Sequence, residues 1–168
     1  MKYKKISLED KAAIKDLSEF ATKIIKKHFD PIIGEAQNDY MLNKFQSVST
    51  ITEQIVQGYR YYFVMKRQEK VGFIAFYPKE GKMYLSKFYL AAEHRGQGIA
   101  SKMFQFVKEE ASKEDLPAIF LNVNKNNNKV IEIYKHFGFR KVGEENKDIG
   151  NGYVMDDFIL EYALSEKS

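Results

Sequence analysis

The sequence predicts an α/β fold: a mixed, mostly antiparallel central sheet flanked by helices, with one βαβ unit inside it. Three observations predict it. Tyr59 to Leu90 holds three short apolar and aromatic runs parted by polar turns, the pattern of an antiparallel meander. Directly after the third run, Ile99, Met103, Phe106 and Val107 recur at helical spacing. Ala118 to Val123 is a further short apolar run, and a strand–helix–strand crossover makes a parallel pair.

The elements follow in order. Ser7-Leu8-Glu9-Asp10 reads as a capping box that opens a helix with an apolar stripe at Ile14, Leu17, Ala21 and Ile24. That helix is expected to run to Lys27, because Pro31 disfavours helix in the residue before it and His28-Phe29-Asp30-Pro31 then reads as a break. Glu35 to Phe45 is a second helix, with Tyr40, Met41 and Phe45 as its buried side. Thr50-Ile51-Thr52-Glu53 is another capping box, and Gly58 ends the short helix it starts. Strands are expected at Tyr59 to Lys66, Val71 to Tyr77 and Tyr84 to Leu90, with turns at Arg67 to Glu69 and Lys79 to Lys82. A helix begins near Gly98, and a strand covers Ala118 to Val123. A second helix, Lys129 to Phe137, is stopped by Gly138. Two last strands, Phe139 to Glu144 and Tyr153 to Leu164, flank the turn at Asp148 to Gly152. No repeat or linker interrupts the chain, so residues 1–168 are expected to form a single domain.

Composition narrows the chemistry. A hydrophobic fraction of 44% with 30% charged residues predicts a folded core. There is no cysteine, which excludes a disulfide framework, a thiolate zinc site and a cysteine nucleophile together. No histidine–carboxylate spacing suggests a metal, so none is expected. No apolar run spans a bilayer, and no hydrophobic signal region follows the charged start, so a cytoplasmic protein without membrane partner is expected. A net charge of +4 without an arginine-rich or aromatic-interleaved run argues against nucleic acid as a partner.

The stretch Arg95-Gly96-Gln97-Gly98-Ile99-Ala100 joins a strand to a helix. A helix leaves its first N–H groups unpaired, and these, with the helix dipole, attract phosphate. Glycine lets the backbone approach a ligand closely, and arginine can fork onto phosphate oxygens. The GxxxxGK[ST] loop is absent, and the dinucleotide fingerprint GxGxxG/A fails at Ser101. What remains is Arg-x-x-Gly-x-Ala, which resembles the pyrophosphate loop of the GNAT superfamily of N-acetyltransferases. A second block resembles that family as well: Asn127, Val130, Tyr134, Gly138 and Phe139 match its Asn-x-x-Ala-x-x-x-Tyr-x-x-x-Gly-Phe pattern, with Val130 in place of the alanine. The resemblance covers about Tyr59 to Tyr162. The first part of the chain agrees only in its helical pattern, which loosely resembles small-amine and polyamine acetyltransferases.

The resemblance implies a GNAT fold with a βαβ acetyl-CoA-binding core. Backbone groups of Phe88, Tyr89 and Leu90 would grip the pantetheine. The N–H groups of Arg95, Gly96, Gln97, Gly98, Ile99, Ala100 and Ser101 would hold the diphosphate. Asn127 would contact the cofactor, and its competing role is a turn or helix cap. Tyr134 falls where the family has its general acid; a phenol with a reference pKa of about 10 arrives protonated and can donate to a leaving thiolate. Its competing role is core packing beside Val130 and Phe137.

The base is open. Many relatives carry a glutamate on the central strand, and here Ser86-Lys87 stands in that region. Candidates are His28, Glu93, Asp156 and Asp157, or a water chain. His28, Asp156 and Asp157 are also the candidate substrate-binding residues. Alternation puts Asp156 and Asp157 on opposite faces of their strand, so at most one faces the site. His94 and His136 read as surface residues.

Acidic residues Asp30, Glu35, Asp39, Asp156 and Asp157 favour a small cationic amine or polyamine as acceptor, attacking the thioester of acetyl-CoA directly. An amino acid, an aminoglycoside-like compound or a protein N-terminus are alternatives. A different class, a module that binds and senses acyl-CoA without turnover, is favoured by the absent strand carboxylate and disfavoured by Tyr134. A nucleic-acid or phosphopeptide binder using the basic loop is the third reading. Monomer and homodimer are both compatible with the pattern, since exposed final strands can pair edge to edge.

Overall fold

The computed structural model describes residues 1–164. Its elements run β1 (Lys2–Lys5), α1 (Lys11–Ile33), α2 (Glu35–Phe45), α3 (Val48–Val56), β2 (Arg60–Lys66), β3 (Glu69–Lys79), β4 (Lys82–Leu90), α4 (Ile99–Lys113), β5 (Ala118–Asn124), α5 (Asn128–Phe137), β6 (Arg140–Gly150) and β7 (Tyr153–Ala163). The strands are hydrogen-bonded in the order β1-β2-β3-β4-β5-β7-β6. β4 and β5 pair in parallel, and β1–β2, β2–β3, β5–β7 and β6–β7 pair antiparallel. This is the mixed, mostly antiparallel sheet with flanking helices that the pattern predicts, including its parallel β4–β5 pair, and β7 enters between β5 and β6.

The chain divides into two compact units. The first comprises Met1–Tyr77 and Lys87–Met103. Its core joins Ile14, Leu17 and Ala21 of α1 to Tyr61 and Phe63 of β2 and Phe73 of β3. All of these are withdrawn from water, and each large apolar side chain so buried is worth about 1.5–3 kcal/mol. β1 was not foreseen. Its lysine-rich sequence lacks apolar alternation, yet Lys2 to Lys5 pair with Met65 to Tyr62. Lysine on a sheet edge discourages pairing with other chains, which is why such a strand does not look like one.

Three helix limits differ from expectation. Asp10, not Ser7, caps α1: its Oδ1 accepts from the Ala13 N–H at 3.0 Å. The helix then passes through Pro31 and stops at Gly34, whose φ of 89° leaves the helical region. Proline forfeits one backbone bond, and here the loss falls in the final turn, where one absent bond does not end the helix. Ser47, not Thr50, caps α3, its Oγ accepting from the Thr50 N–H at 3.2 Å. The buried face of α2 also differs: Asn38 and Leu42 are buried, while Tyr40, Met41 and Phe45 are half-buried. Asn38 donates to Asp30 Oδ1 at 2.8 Å and to the Ile25 carbonyl at 3.3 Å, so a polar side chain fastens α2 to α1.

The second unit comprises Pro78–Ser86 and the chain from Phe104 on. Phe104 of α4 is its aromatic hub, with ring centroids 5.2 Å from Phe137, 5.2 Å from Phe139 and 5.0 Å from Tyr162. Gly138 ends α5 in the left-handed region at φ 107°, as the sequence predicts. β6 continues to Gly150, beyond the expected Glu144, and the hairpin turns through Asn151 and Gly152 at φ 55° and 78°. Two positive φ values are what a tight hairpin with right-twisted strands requires.

Gly72 of β3 lies against the strand that carries Tyr89: a Cβ there would overlap the Tyr89 carbonyl oxygen. Gly72→Ala is therefore expected to cost about 1–3 kcal/mol and lower Tm by several degrees, measured by thermal unfolding.

Candidate active site

In the first unit, β4 ends at Leu90 and the chain makes one 3₁₀ turn at Ala92–His94 before α4 begins at Ile99. The Ala91 N–H donates to the Val71 carbonyl at 2.8 Å, which fixes where the loop leaves the sheet. Gly96 and Gly98 have φ of 76° and 77°. An L side chain rarely adopts that conformation, so glycine is needed at both. An added Cβ at either position would meet nothing within 4 Å, so the loop faces open space. Arg95, Gly96, Gln97, Gly98 and Ser101 are exposed, while Ile99 is buried and anchors the helix. Lys66 at the end of β2 donates to Gln97 Oε1 at 2.9 Å, which adds a second cation to the rim beside Arg95. The donor set, the dipole and the open side fit a diphosphate.

Phe88, Tyr89 and Leu90 are half-buried at the end of β4, with Tyr89 stacked on Phe73 at 5.1 Å. The residue before them departs from the sequence picture. Lys87 is 6% exposed. Its Nζ donates to the Phe45 carbonyl at 3.1 Å, Gln46 Oε1 at 3.0 Å and Gln54 Oε1 at 3.3 Å, and also to the Tyr61 hydroxyl. Burial pushes the ammonium down to about 7 and raises the Tyr61 phenol. A buried cation is tolerated only where oxygens replace its lost water. Lys87 therefore ties β4 to the end of α2, to α3 and to β2. A lysine in a strand normally reads as solvent-facing, so only packing reveals this.

In the second unit, Asn127 is 4% exposed and stands at the N-cap of α5, but its side chain makes no capping bond there. Its backbone makes the turn and the first helical bond instead: the N–H donates to the Asn124 carbonyl and the carbonyl accepts from the Ile131 N–H, each at 3.0 Å. Tyr134 is 6% exposed, on the inner face of α5, edge-on to Phe139 at 5.3 Å. The two carboxylates on β7 part as alternation predicts. Asp156 is half-exposed and paired with Lys125 Nζ at 2.9 Å. Asp157 is 5% exposed, and Asn122 Nδ2 donates to its Oδ2 at 3.4 Å. Asn122 in turn accepts from the Tyr84 hydroxyl at 3.4 Å. Burial pushes the Asp157 carboxyl up to about 6; the Asn122 bond and Lys125 pull the other way, while Glu145 and Asp156 add to the rise. Asn122 and Tyr84 were not singled out from sequence. The available signal was a polar residue interrupting the apolar run Ala118 to Val123.

The remaining candidates are dispersed. His28 lies inside α1, not in a break after it, because the helix continues through Pro31; its ring stands edge-on to Phe29 at 4.8 Å. His94 is half-buried rather than a free surface residue, with Nε2 3.2 Å from Glu69 Oε1. His136 and Glu93 are exposed. Lys26 sits among Asp30, Glu35 and Asp39 at 3.2, 3.6 and 2.7 Å, so those three carboxylates already share a cation. Among the described residues no group of three or more His, Cys, Asp or Glu is placed to hold a metal ion, and no helix is long and apolar enough to cross a membrane.

The strand order, the parallel β4–β5 crossover and the glycine loop after β4 define a class that comparison confirms. The acetyltransferase (GNAT) family pattern matches residues 25–139, and the chain belongs to that family. It is 37% identical over 84 residues to the probable N-acetyltransferase san of Drosophila melanogaster, a match covering 49% of this chain and 46% of that protein. It is 31% identical over 81 residues to the chloroplastic GCN5-related N-acetyltransferase 6 of Arabidopsis thaliana, covering 47% of this chain and 26% of that one. The chain thus matches less than half the length of either relative. The fold is similar to that of the PaiA N-acetyltransferase of Thermoplasma acidophilum in complex with coenzyme A, with a TM-score of 0.75, 19% identity and coverage of 97% of this chain and 99% of that one. The fold is the GNAT fold.

A buried carboxyl raised from its ordinary 3.8 to about 6 has a consequence for stability. Below its unfolded value it is neutral in both states. As pH climbs through about 6 the native state must ionise it without water, and stability is lost. Asp157→Asn is expected to raise Tm at pH 7 relative to the parent, with the difference closing toward pH 4, as read by melts across that range.

Proposed function

We propose that the chain is an acetyl-CoA-dependent N-acetyltransferase that passes the acetyl group straight to a primary amine. The observation that carries this reading is the loop after β4. Two glycines in the left-handed region open onto free space at the start of a long helix, beside Arg95 and Lys66. That arrangement suits the diphosphate of coenzyme A. Membership of the acetyltransferase family supports it, and so does the fold shared with an enzyme described in complex with coenzyme A. A chain with no cysteine has no thiol to form an acyl-cysteine, which favours direct attack.

The acid in this reading is Tyr134. When the tetrahedral intermediate collapses, the C–S bond breaks and the sulfur takes the electron pair; a neutral phenol can then give it a proton. A phenol has a reference value of about 10, so it carries its proton at neutral pH. Asn127, buried yet not capping α5, is the companion residue assigned to the cofactor. The favoured acceptor is a small cationic amine. Of the five carboxylates that suggested it, Asp30, Glu35 and Asp39 share Lys26 and Asp156 pairs with Lys125, which leaves Asp157 as the acceptor contact. His28 is set aside as a substrate residue.

One observation favours a second reading, a module that binds acyl-CoA without turnover. Lys87 fills the strand region where many relatives have a carboxylate, and its ammonium is held by protein oxygens.

The two readings part in an acetyl-CoA assay that follows free thiol across a panel of primary amines. Turnover is expected with at least one amine. Tyr134→Phe is expected to lower kcat by about 100-fold or more while leaving the Kd for acetyl-CoA within about twofold. Binding of acetyl-CoA without thiol release from any amine selects the sensor, and unchanged kcat in the variant removes Tyr134 from the chemistry.

A further inference from the structure

We propose that Asp157 takes the proton from the attacking amine, and that Asn122 and Tyr84 line the approach to it. This rests on the acetyltransferase reading above and names the one group that reading leaves unassigned.

The argument starts from the ladder between β4 and β5. Its paired positions are Met83 with Ile119 and Tyr84 with Phe120. Leu85 and Ser86 follow on β4, and Leu121 to Asn124 follow on β5, with no further pairing across this ladder. A row of polar side chains begins where the ladder stops. The Tyr84 hydroxyl donates to Asn122 Oδ1, and Asn122 Nδ2 donates to Asp157 Oδ2, each at 3.4 Å. The row crosses β4, β5 and β7 and ends at the carboxylate. In the β5–β7 register Asp157 stands opposite Asn124, so Asn122 and Asp157 share one face of the sheet. Tyr84 and Asn122 are half-buried and Asp157 is buried. The carboxylate is thus withdrawn from bulk water at the end of a row of two half-buried polar side chains.

The other acid–base candidates are committed elsewhere or open to solvent. Asp156 pairs with Lys125, and His94 with Glu69. Lys87 donates to four protein oxygens. Glu93 is exposed. Asp157 has one long bond, from an amide, and oxygen lone pairs to spare. Its neighbours set its proton affinity from three elements: Asn122 from β5, Glu145 opposite it on β6, and Asp156 beside it on β7, with Lys125 in the loop after β5. Burial and the two carboxylates raise that affinity to about 6, nearer a working base at neutral pH than an ordinary aspartate.

The step balances as follows. An ammonium N–H bond breaks and its proton passes to Asp157. The freed lone pair forms the N–C bond at the thioester carbon. Collapse breaks the C–S bond, and Tyr134 protonates the sulfur. The second proton lost by nitrogen restores the Tyr134 phenol, and Asp157 releases its own to solvent. The sum is one amide, one thiol and one proton from an ammonium and a thioester.

The experiment measures kcat/KM against pH for acetyl-CoA with the best amine of the panel, taking 1,4-diaminobutane as first probe. The parent is expected to lose activity as pH falls through about 6, where Asp157 gains its proton. Asp157→Asn is expected to lose that limb and at least about 100-fold in kcat, with acetyl-CoA binding unchanged and a cooperative melt showing it folded. Asn122→Ala removes the bond that holds the carboxyl down, so its limb is expected to move to higher pH. A merely structural Asp157 would move neither limb. Retention of the acid limb in Asp157→Asn, or a change confined to the KM for the amine, overturns the assignment while leaving the transferase reading intact. A parent that releases no thiol with any amine overturns the transferase reading, and this inference with it.

Discussion

A helix cannot satisfy its own first N–H groups, and the site proposed for this chain is built on that deficit. α4 starts immediately past two glycines whose φ values are near 76°. The loop is pinned at Ala91 by its bond to Val71 and at Ile99 by burial. Between these points the backbone is exposed and faces nothing of its own. Such a helix start suits an anion. The chain belongs to the acetyltransferase (GNAT) family, and the anion proposed for this loop is the diphosphate of coenzyme A.

Lys87 shows how much of the first unit is held by polar contacts rather than by area alone. A buried ammonium costs several kcal/mol unless oxygens replace its hydration. Here they come from the end of α2, from α3 and from β2, so three elements are tied to one strand by one nitrogen. Asn38 does the same between α1 and α2. Helices fastened this way keep a definite position despite thin apolar faces. α2 illustrates the point: only Leu42 among its apolar residues is buried.

Asp157 and Lys87 form an instructive contrast. Both are ionisable groups taken out of water, and both are shifted toward neutrality by burial. Lys87 is surrounded by acceptors and is structurally spent. Asp157 has one distant donor and two neighbouring carboxylates, so it keeps proton-accepting capacity. Burying a carboxylate with so little compensation destabilises the native state, and proteins retain such groups where chemistry needs them.

Much of the architecture was legible because it follows local rules. Short apolar and aromatic runs bounded by polar turns marked β2, β3, β4 and β5, and a glycine in the left-handed region ended α5 where expected. The loop at Arg95 to Ser101 and the residues Asn127 and Tyr134 were singled out by their resemblance to the motifs of a family, since spacing alone leaves Tyr134 a packing residue, and their roles are proposals. Other features were not. β1 is a row of lysines whose strand state exists only because β2 offers it a ladder. α1 outlasts Pro31 because one forfeited bond in a last turn is affordable, which a rule about proline does not weigh. Ser47 and Asp10 displaced the expected caps because each helix starts three residues away from the expected position, with Asp10 accepting from the Ala13 N–H and Ser47 from the Thr50 N–H. Sequence also paired Asp156 with Asp157 as equals. Only the fold, by setting Lys125 against one and Asn122 against the other, gave them different surroundings. The chain by itself thus determined most of the elements, β1 excepted, and where a glycine turn precedes a helix, since propensity and spacing are properties of neighbours. Tertiary structure decided which charges are buried and which are paired, because burial and pairing depend on residues distant in sequence.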